Sequence, residues 1–209
     1  MCPLCHGEGS ALFHRDARRD YRQCPHCALV FVPPQYLLSP AEEKAQYDLH
    51  RNAVDDPGYR AFLARVATPL QQRLPPAARG LDYGCGPGPA LAALMREQGR
   101  SVALYDPFYY PDTTVLDTSY DFVTCTEVVE HAFDASALWQ RLFSLLRPGG
   151  WLGVMTKRVA GRDAFAGWHY KNDPTHVRFY SEVTLAWVAR RFNAALELTS
   201  ADTAIFGIA

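Results

Sequence analysis

Apolar runs alternate with segments of helical period from Arg79 onward. The apolar runs span residues 80–83, 101–106, 120–127 and 149–157, and the helical segments span residues 89–99, 134–146 and 181–192. Strands that alternate with helices predict an α/β fold with a doubly wound, mostly parallel sheet. In such sheets ligands bind at the carboxyl ends of the strands, so candidate chemistry is sought there.

Residues 39–74 also have a helical pattern. Ser39 is a candidate cap, followed by proline at the first helical position and by acidic residues in the first turn. Pro69 is expected to bend or divide the second half of this stretch. Tyr47 and His50 lie near a helical end. They are either a packed tyrosine and a surface histidine, or part of a segment that closes over the main site.

Residues 157–181 show no persistent period. A connection of this length without secondary structure is usually functional or disordered, and aromatic content argues against disorder. The aromatic and imidazole side chains are those of Trp168, His169, Tyr170, His176, Phe179 and Tyr180. The segment begins where a predicted strand ends, and we interpret it as a roof over the substrate.

Composition is typical of a globular protein with one sizeable core. The 209 residues are 48% hydrophobic and 21% charged, with a formal net charge of −1. This balance argues against a dedicated nucleic-acid-binding protein, which usually has a basic excess. No apolar stretch approaches the ~20 residues that cross a bilayer, and the N-terminus lacks the regions of a signal peptide. We therefore expect a cytoplasmic protein with no membrane partner.

Four of the six cysteines form two C-x2-C pairs. Cys2 and Cys5 are separated from Cys24 and Cys27 by 18 residues. Each C-x2-C turn directs two thiolates at one centre, and two turns complete the tetrahedron that zinc prefers. In a reducing compartment such pairs are more often metal ligands than disulfides.

The N-terminal module, residues 1–34, resembles a zinc ribbon. Four thiolates leave no open coordination position, so the zinc is expected to hold the fold without chemistry of its own. His6 and His26 lie beside the two turns and are alternative ligands. The remaining cysteines, Cys85 and Cys125, are expected to be small buried residues.

The sequence LDYGCGPG, residues 81–88, ends the first predicted strand of the large sheet. Its glycines follow the spacing G-x-G-x-G, whereas dinucleotide-binding loops have G-x-G-x-x-G. Pro87 also removes an amide that a phosphate would use. Asp82 would repel phosphate but attract an ammonium or sulfonium group. Asp106, at the end of the next strand, is placed to accept the hydroxyls of a ribose.

Four motifs, in this order, resemble those of class I S-adenosylmethionine-dependent methyltransferases. They are LDYGCGPG, LYDP, YDFVTCTEVVEH and LLRPGGWLGVMTK, and the resemblance covers residues 77–209. It implies a seven-stranded Rossmann-like sheet that ends in an antiparallel hairpin, here residues 194–198 and 203–209. Only ten residues separate Asp106 from Asp117, so the third strand is expected to be short or nearly absent.

The resemblance also implies roles for individual residues. Asp82 and the glycine loop hold the methionine end of the cofactor, Asp106 binds the ribose hydroxyls, and Asp117 lies near the adenine edge. The whole implied cofactor-binding set is Asp82, Tyr83, Gly84, Cys85, Gly86, Gly88, Asp106, Pro107, Phe108, Asp117, Thr126 and Glu127. For Asp117 a plain loop acid is the alternative, because aspartate is a favoured loop residue.

His176, His131 and Tyr170 are the candidates for catalysis. His176 lies in DPTHVRFYS, which resembles a branch of these methyltransferases that carries an N-terminal zinc ribbon, as YDLHRN and GYRAFL do. An imidazole titrates near neutrality and suits a general base. Alternatively, Asp173 and His176 only fix the loop by hydrogen bonds. His131, in EVVEH, either faces the substrate or caps the next helix.

The resemblance implies methyl transfer from S-adenosylmethionine to an oxygen, nitrogen or carbon of a small or medium-sized organic acceptor. The alternatives are a zinc-assisted methyltransferase of ribosomal or transfer RNA and an inactive S-adenosylmethionine-binding protein. A nicotinamide-dependent dehydrogenase is disfavoured by the glycine spacing. The first 34 residues contain four arginines and three acidic residues, so they offer little net positive charge for binding the RNA backbone. The expected parts are the zinc module (1–34), a helical linker or cap (35–76) and the cofactor domain (77–209).

Overall fold

A computed structural model describes residues 1–49 and 53–209, so His50 lies outside the described residues. The strands are β1 (Ala11–Arg15), β2 (Asp20–Gln23), β3 (Val30–Phe31), β4 (Arg79–Tyr83), β5 (Ser101–Tyr105), β6 (Tyr120–Thr126), β7 (Leu146–Met155), β8 (Arg178–Phe179), β9 (Ala194–Leu198) and β10 (Thr203–Ile208). The α-helices are α1 (Pro40–Tyr47), α2 (Pro57–Gln71), α3 (Ala90–Glu97), α4 (Ala135–Ser144), α5 (Arg162–Ala166) and α6 (Glu182–Arg191).

Six strands form the large sheet, in the order β5-β4-β6-β7-β10-β9. The first four are parallel, and β10 runs antiparallel to both β7 and β9. One face packs against apolar residues of α2 and α3, and the other packs against those of α4 and α6. The doubly wound α/β fold and its closing hairpin are therefore confirmed.

The third strand of the implied seven-stranded sheet is absent from the described residues, which agrees with the expectation that it is short or nearly absent. Between β5 and β6 the chain makes an isolated bridge from Asp106 to Tyr110 and a 3-10 helix at Thr113–Asp117. A parallel strand with its crossover needs about a dozen residues of connection on each side, and this segment is too short to provide them. The sheet therefore has six strands rather than seven.

Helix α2 continues through Pro69, which neither divides nor ends it. The helix stops two residues later, at Gln71, so the proline lies in its last turn. Asp56 caps the start of this helix by accepting a hydrogen bond from the amide of Tyr59 at 2.6 Å. Helix α1 begins at Ser39 as expected, with a full capping box completed by Glu42.

The N-terminal module shares a β-sheet with the segment 157–181, in which no regular secondary structure was expected. The small sheet has the order β1-β2-β3-β8, and β8 comes from residues 157–181. Val30 pairs with Phe179 in this sheet. Arg19 strengthens the connection, because its guanidinium donates hydrogen bonds to the backbone carbonyls of Lys171, Asp173 and Pro174. These contacts join residues 1–34 to the cavity-bearing part of the chain.

Most aromatic side chains of the segment 157–181 lie inside the protein rather than over a substrate. Phe165 and Phe179 pack with Phe13 and Tyr21 of the N-terminal module in one apolar cluster. Tyr180 is fully buried in the main core, where its hydroxyl accepts a hydrogen bond from the indole of Trp139 at 3.2 Å. The expected aromatic roof is reduced to the few side chains described below.

Within residues 1–49 and 53–209, no helix has both the length and the apolar character that a bilayer crossing requires.

Candidate cofactor and acceptor site

A cavity of about 1170 Å³ opens where β4, β5 and β6 end. Parallel strands bring their carboxyl ends to the same edge, so the loops after Tyr83, Tyr105 and Thr126 meet there. Helices α1 and α2 cover the cavity from one side with Tyr47 and Tyr59, among others. The residues after β7 cover it from the other side. This volume is of the size that holds a cofactor together with a small molecule.

Backbone conformation explains two of the three glycines in the loop after β4. Gly84 and Gly86 have φ angles of 72° and 62°, which side-chain-bearing residues rarely adopt. A Cβ atom at Gly84 would also overlap Val128, whereas a Cβ at Gly86 would meet no atom within 4 Å. Gly86 therefore presents bare backbone to the open cavity, which is where a ligand can approach closely.

Asp106 organises this loop. Its Oδ2 accepts a hydrogen bond from the amide of Gly86 at 3.0 Å. Its Oδ1 accepts from the amides of Phe108 and Tyr109 at 2.8 and 3.1 Å. A carboxylate has about four lone-pair sites, so capacity remains on Oδ2 for a ligand hydroxyl. The carboxyl is only 7% exposed and borders the cavity.

Asp82 lies at the base of the same cavity. It is 2% exposed and accepts a hydrogen bond from the hydroxyl of Thr124 at 2.8 Å. Burial raises the pKa of Asp82 to about 6, although the Thr124 hydrogen bond opposes this effect. An aspartate held in this way favours a positively charged neighbour, which would restore its ionised form.

We expect Asp82→Asn to stabilise the cofactor-free protein. Asp82 has a pKa of about 6 in the folded protein, whereas an unfolded chain has about 4. The folded state therefore binds more protons between these values, and its stability falls as the pH rises from about 4 to about 6. Asparagine avoids this loss, which amounts to roughly 2–3 kcal/mol above pH 6.

The measurement is the melting temperature of both proteins from pH 4 to pH 8. The gain should appear above pH 6 and vanish near pH 4. Asp117→Asn is the matched control, because Asp117 is exposed, and it should leave the pH profile unchanged. A wild-type melting temperature that rises from pH 4 to pH 6 relative to Asp82→Asn would contradict the raised pKa.

The structure brings most of the sequence-derived cofactor residues to the cavity. The members that line it are Asp82, Tyr83, Gly84, Cys85, Gly86, Asp106, Pro107, Phe108, Thr126 and Glu127. Gly88 is buried and does not line it. Asp117 is exposed at the end of its 3-10 helix and is also absent from the lining. Cys125 is fully buried in β6, as expected, and Cys85 is mostly buried.

Two carboxylates meet one hydroxyl beside the cavity. The Tyr170 hydroxyl contacts Oε1 of Glu130 and lies 3.4 Å from Oε2 of Glu127. Thr156 adds a hydroxyl 3.3 Å from that of Tyr170. Burial raises the pKa of Glu127 to about 7 and the pKa of Glu130 well above its usual value. Glu127 also has a positive φ of 52°, a strained conformation of the kind that concentrates at functional sites.

Two histidines lie beside these carboxylates. The ring centroids of His131 and His176 are 4.7 Å apart. Nδ1 of His131 is 3.1 Å from the carbonyl of Thr175, and Nδ1 of His176 is 2.7 Å from the carbonyl of Tyr170. Since a carbonyl only accepts, each Nδ1 donates its N–H to that carbonyl. Nε2 of His176 lies 3.8 Å from a carboxylate oxygen of Asp173.

Glu130 is the residue that sequence reasoning missed. It lies in the EVVEH motif, three residues after Glu127 and directly before His131. The 3-10 helix Val129–His131 turns it inward, so its side chain is fully buried. Its place in the EVVEH motif, directly after two valines, was the available signal, but its burial was not evident from the sequence.

The four N-terminal cysteines form a compact group. The Sγ atoms of Cys2 and Cys27 are 3.6 Å apart, and those of Cys5 and Cys24 are 3.4 Å apart. All four sulfur atoms lie within 4.8 Å of one another. A zinc ion with bonds of about 2.3 Å to sulfur requires sulfur–sulfur distances of about 3.8 Å, so this donor set fits a tetrahedral ion.

Backbone amides support this group at both turns. The amides of Gly7 and His26 donate to the sulfurs of Cys5 and Cys24 at 3.4 Å each. The residue after each second cysteine, His6 or Ala28, has a positive φ. Neither histidine beside the turns belongs to the candidate ligand group that the described residues form here.

Comparison with known proteins gives a family and a fold. A family model described as a methyltransferase domain matches residues 53–199. The comparison with curated proteins finds no match. Solved structures with the same fold share little sequence with this chain, and at such identities the likeness concerns the fold alone.

The first of these structures is 1,6-didemethyltoxoflavin-N1-methyltransferase of Burkholderia thailandensis, solved with 1,6-didemethyltoxoflavin and S-adenosylhomocysteine. It is 17% identical, with a TM-score of 0.57 over 93% of this chain and 96% of that chain. A SAM-dependent methyltransferase of Archaeoglobus fulgidus is 18% identical, with a TM-score of 0.52 over 66% and 71%. An O-methyltransferase family protein of Burkholderia thailandensis is 14% identical, with a TM-score of 0.51 over 79% and 62%.

Proposed function

Because the chain belongs to the methyltransferase-domain family and is an S-adenosylmethionine-dependent methyltransferase of class I, we propose that it methylates a small or medium-sized organic acceptor. The observation that supports this proposal is the continuity of the cavity. One space of about 1170 Å³ joins the glycine loop to the group of Glu127, Tyr170, His131 and His176. A donor and an acceptor therefore fit side by side.

The donor end has the groups that S-adenosylmethionine requires. Gly86 leaves room for close approach to the backbone, and Asp106 retains hydrogen-bonding capacity for the ribose hydroxyls. Pro107 and Phe108 border the same part of the cavity and are placed to flank the adenine. When bound, S-adenosylmethionine supplies a methyl group on a positively charged sulfur. Asp82 and Glu127 supply the negative charge that orients such a cation.

The acceptor end differs in its chemistry, since it combines basic nitrogens with carboxylates. Nε2 of His176 is the candidate base for an acceptor hydroxyl or protonated amine, because its Nδ1 is fixed by the carbonyl of Tyr170 at 2.7 Å. His131 and Tyr170 complete the polar side. Tyr47 contacts His131 edge-on, with ring centroids 5.3 Å apart, and places helix α1 over the acceptor. Exclusion of water and positioning would supply most of the catalysis.

We expect S-adenosylhomocysteine to bind the purified protein with a dissociation constant in the micromolar range. Isothermal titration calorimetry measures it, with NAD as the control ligand that should not bind. Incubation with cell extract and isotope-labelled S-adenosylmethionine, followed by mass spectrometry, then identifies the acceptor. Binding of NAD without binding of S-adenosylhomocysteine would contradict the proposal.

The four-cysteine group is proposed to bind one structural zinc ion through Cys2, Cys5, Cys24 and Cys27. C-x2-C pairs act as metal ligands rather than disulfides in a reducing compartment, and we propose the cytoplasm as the location.

A further inference from the structure

Three side chains of types that commonly bind metals lie close together beside the cavity. They are distant in sequence from the four N-terminal cysteines. One carboxylate oxygen of Glu130 and one ring nitrogen each of His131 and His176 all lie within 4.8 Å of one another. Glu130 and His131 come from the 3-10 helix after β6, and His176 comes from the segment after β7. Two separate parts of the fold therefore converge on one point.

The two imidazoles are oriented as metal ligands are. Each Nδ1 lies against a backbone carbonyl, that of Thr175 for His131 and that of Tyr170 for His176. A metal-ligating histidine almost always donates its other N–H to a carbonyl or carboxylate, which fixes the tautomer and aims the remaining lone pair. In both rings, Nε2 is then the nitrogen that would coordinate an ion.

Glu130 supplies the second observation. Its side chain is fully buried, and Oε1 accepts from the Tyr170 hydroxyl. Oε2 is buried with no hydrogen-bond partner among the described residues. Oε1 of Glu127 is also buried with no hydrogen-bond partner in the part of the chain that the structure describes. The other oxygen of Glu127 accepts from the same Tyr170 hydroxyl. Buried carboxylate oxygens are normally hydrogen-bonded or coordinate a metal, because an unpaired one is costly.

We propose that Glu130, His131 and His176 bind a divalent first-row transition-metal ion, with Glu127 as an additional carboxylate beside it. Two imidazoles and a carboxylate suit Mn²⁺, Fe²⁺ or Zn²⁺, whereas a site for Mg²⁺ or Ca²⁺ usually consists of oxygen atoms alone. His131, His176 and Glu127 line the cavity, whereas Glu130 is fully buried next to them. An ion held by this group would therefore lie at the wall of the cavity, where an acceptor can reach it.

The role of such an ion rests on the proposed function. It would hold an oxygen of the acceptor and lower the pKa of a hydroxyl there, as a Lewis acid does. The acceptors that fit are therefore compounds with a hydroxyl, a pair of adjacent hydroxyls or a carboxylate. In that case the Nε2 atoms are ligands, and His176 is not the base that the sequence suggests. The two assignments exclude each other and can be separated by experiment.

The test is a titration of the full chain with Mn²⁺, in the absence of S-adenosylmethionine, followed by electron paramagnetic resonance. The protein is first loaded with one equivalent of zinc per chain, which four thiolates bind in preference to a site of two imidazoles and a carboxylate, and any excess zinc is removed so that the proposed site is left for Mn²⁺. We expect one Mn²⁺ per chain, seen as loss of the free-ion signal. Glu130→Gln and His131→Gln should weaken this binding by about 10-fold or more.

Glu97→Gln is the matched control, since Glu97 is more than half exposed and pairs with Arg60 on the surface. It should bind Mn²⁺ as the wild type does. S-adenosylhomocysteine binding is measured on the same samples, which shows whether each variant is folded and tests the proposed function separately. Absence of Mn²⁺ binding in wild-type protein that still binds S-adenosylhomocysteine overturns the metal site alone. Equal Mn²⁺ binding by the wild type and all three variants also overturns it.

Discussion

Cys24→Ser should abolish zinc binding and lower the free energy of unfolding by on the order of 5 kcal/mol, because zinc binding to a small module is also its folding energy. The effect should extend beyond residues 1–34. Strand β3 pairs with β8, and His176 lies two residues before β8. Unfolding of residues 1–34 is therefore expected to disorder the neighbouring residues around His176, on the acceptor side of the cavity. Calorimetric melting and metal analysis by mass spectrometry measure the two effects.

His26→Ala is the matched control for this variant. His26 is exposed beside the same turn, and only its backbone amide contacts Cys24. It should retain the zinc and melt within a few degrees of the wild type. Loss of zinc from His26→Ala, or full retention in Cys24→Ser, would show that the four thiolates are not the ligand set.

Asp106→Ala should weaken S-adenosylhomocysteine binding by about 100-fold, or roughly 3 kcal/mol. The alanine removes the acceptor of three amide hydrogen bonds, from Gly86, Phe108 and Tyr109, and with it the order of the loop. It also removes the oxygen that is proposed to hold the ribose. Charge-assisted hydrogen bonds of this kind contribute more than neutral ones. Titration calorimetry gives the dissociation constant.

Asp117→Ala is the control that the sequence itself suggests. Both acids belong to the implied cofactor-binding set, but only Asp106 borders the cavity. Asp117→Ala should bind S-adenosylhomocysteine with unchanged affinity. If Asp117→Ala lost much of its affinity for S-adenosylhomocysteine while Asp106→Ala changed little, Asp106 would not be the residue that holds the adenosine.

The fold could be predicted from the sequence because its signals are local. Strands β4 to β7 and the helices between them follow from periodicity, and Ser39 and Ser181 cap their helices as expected. The strand expected between β5 and β6 does not form, and the short spacing between Asp106 and Asp117 was one sign of this in the sequence. The pairing of β3 with β8 could not be foreseen, because two-residue strands have no period and a partner so distant in sequence leaves no local trace.

The candidate site was partly predictable because some of its signals are also local in the sequence. Gly84 and Gly86 line the cavity, as expected of a ligand-binding loop, and Asp82 and Asp106 border it as well. Trp168 is the opposite case, because its aromatic character suggested a roof and it packs instead in the apolar cluster with Phe179. Glu130 was missed, since burial of a charged side chain depends on the tertiary fold and not on its neighbours in sequence.

The shared small sheet has a consequence for synthesis. Strand β3 emerges from the ribosome long before β8, so the nascent N-terminal module has an unpaired strand edge while most of the chain is still being made. Such an edge can pair with other chains until its own partner arrives. Early capture of the metal by the two cysteine turns would hold the unfinished module together, and the last strand would then be added only when the catalytic half has folded.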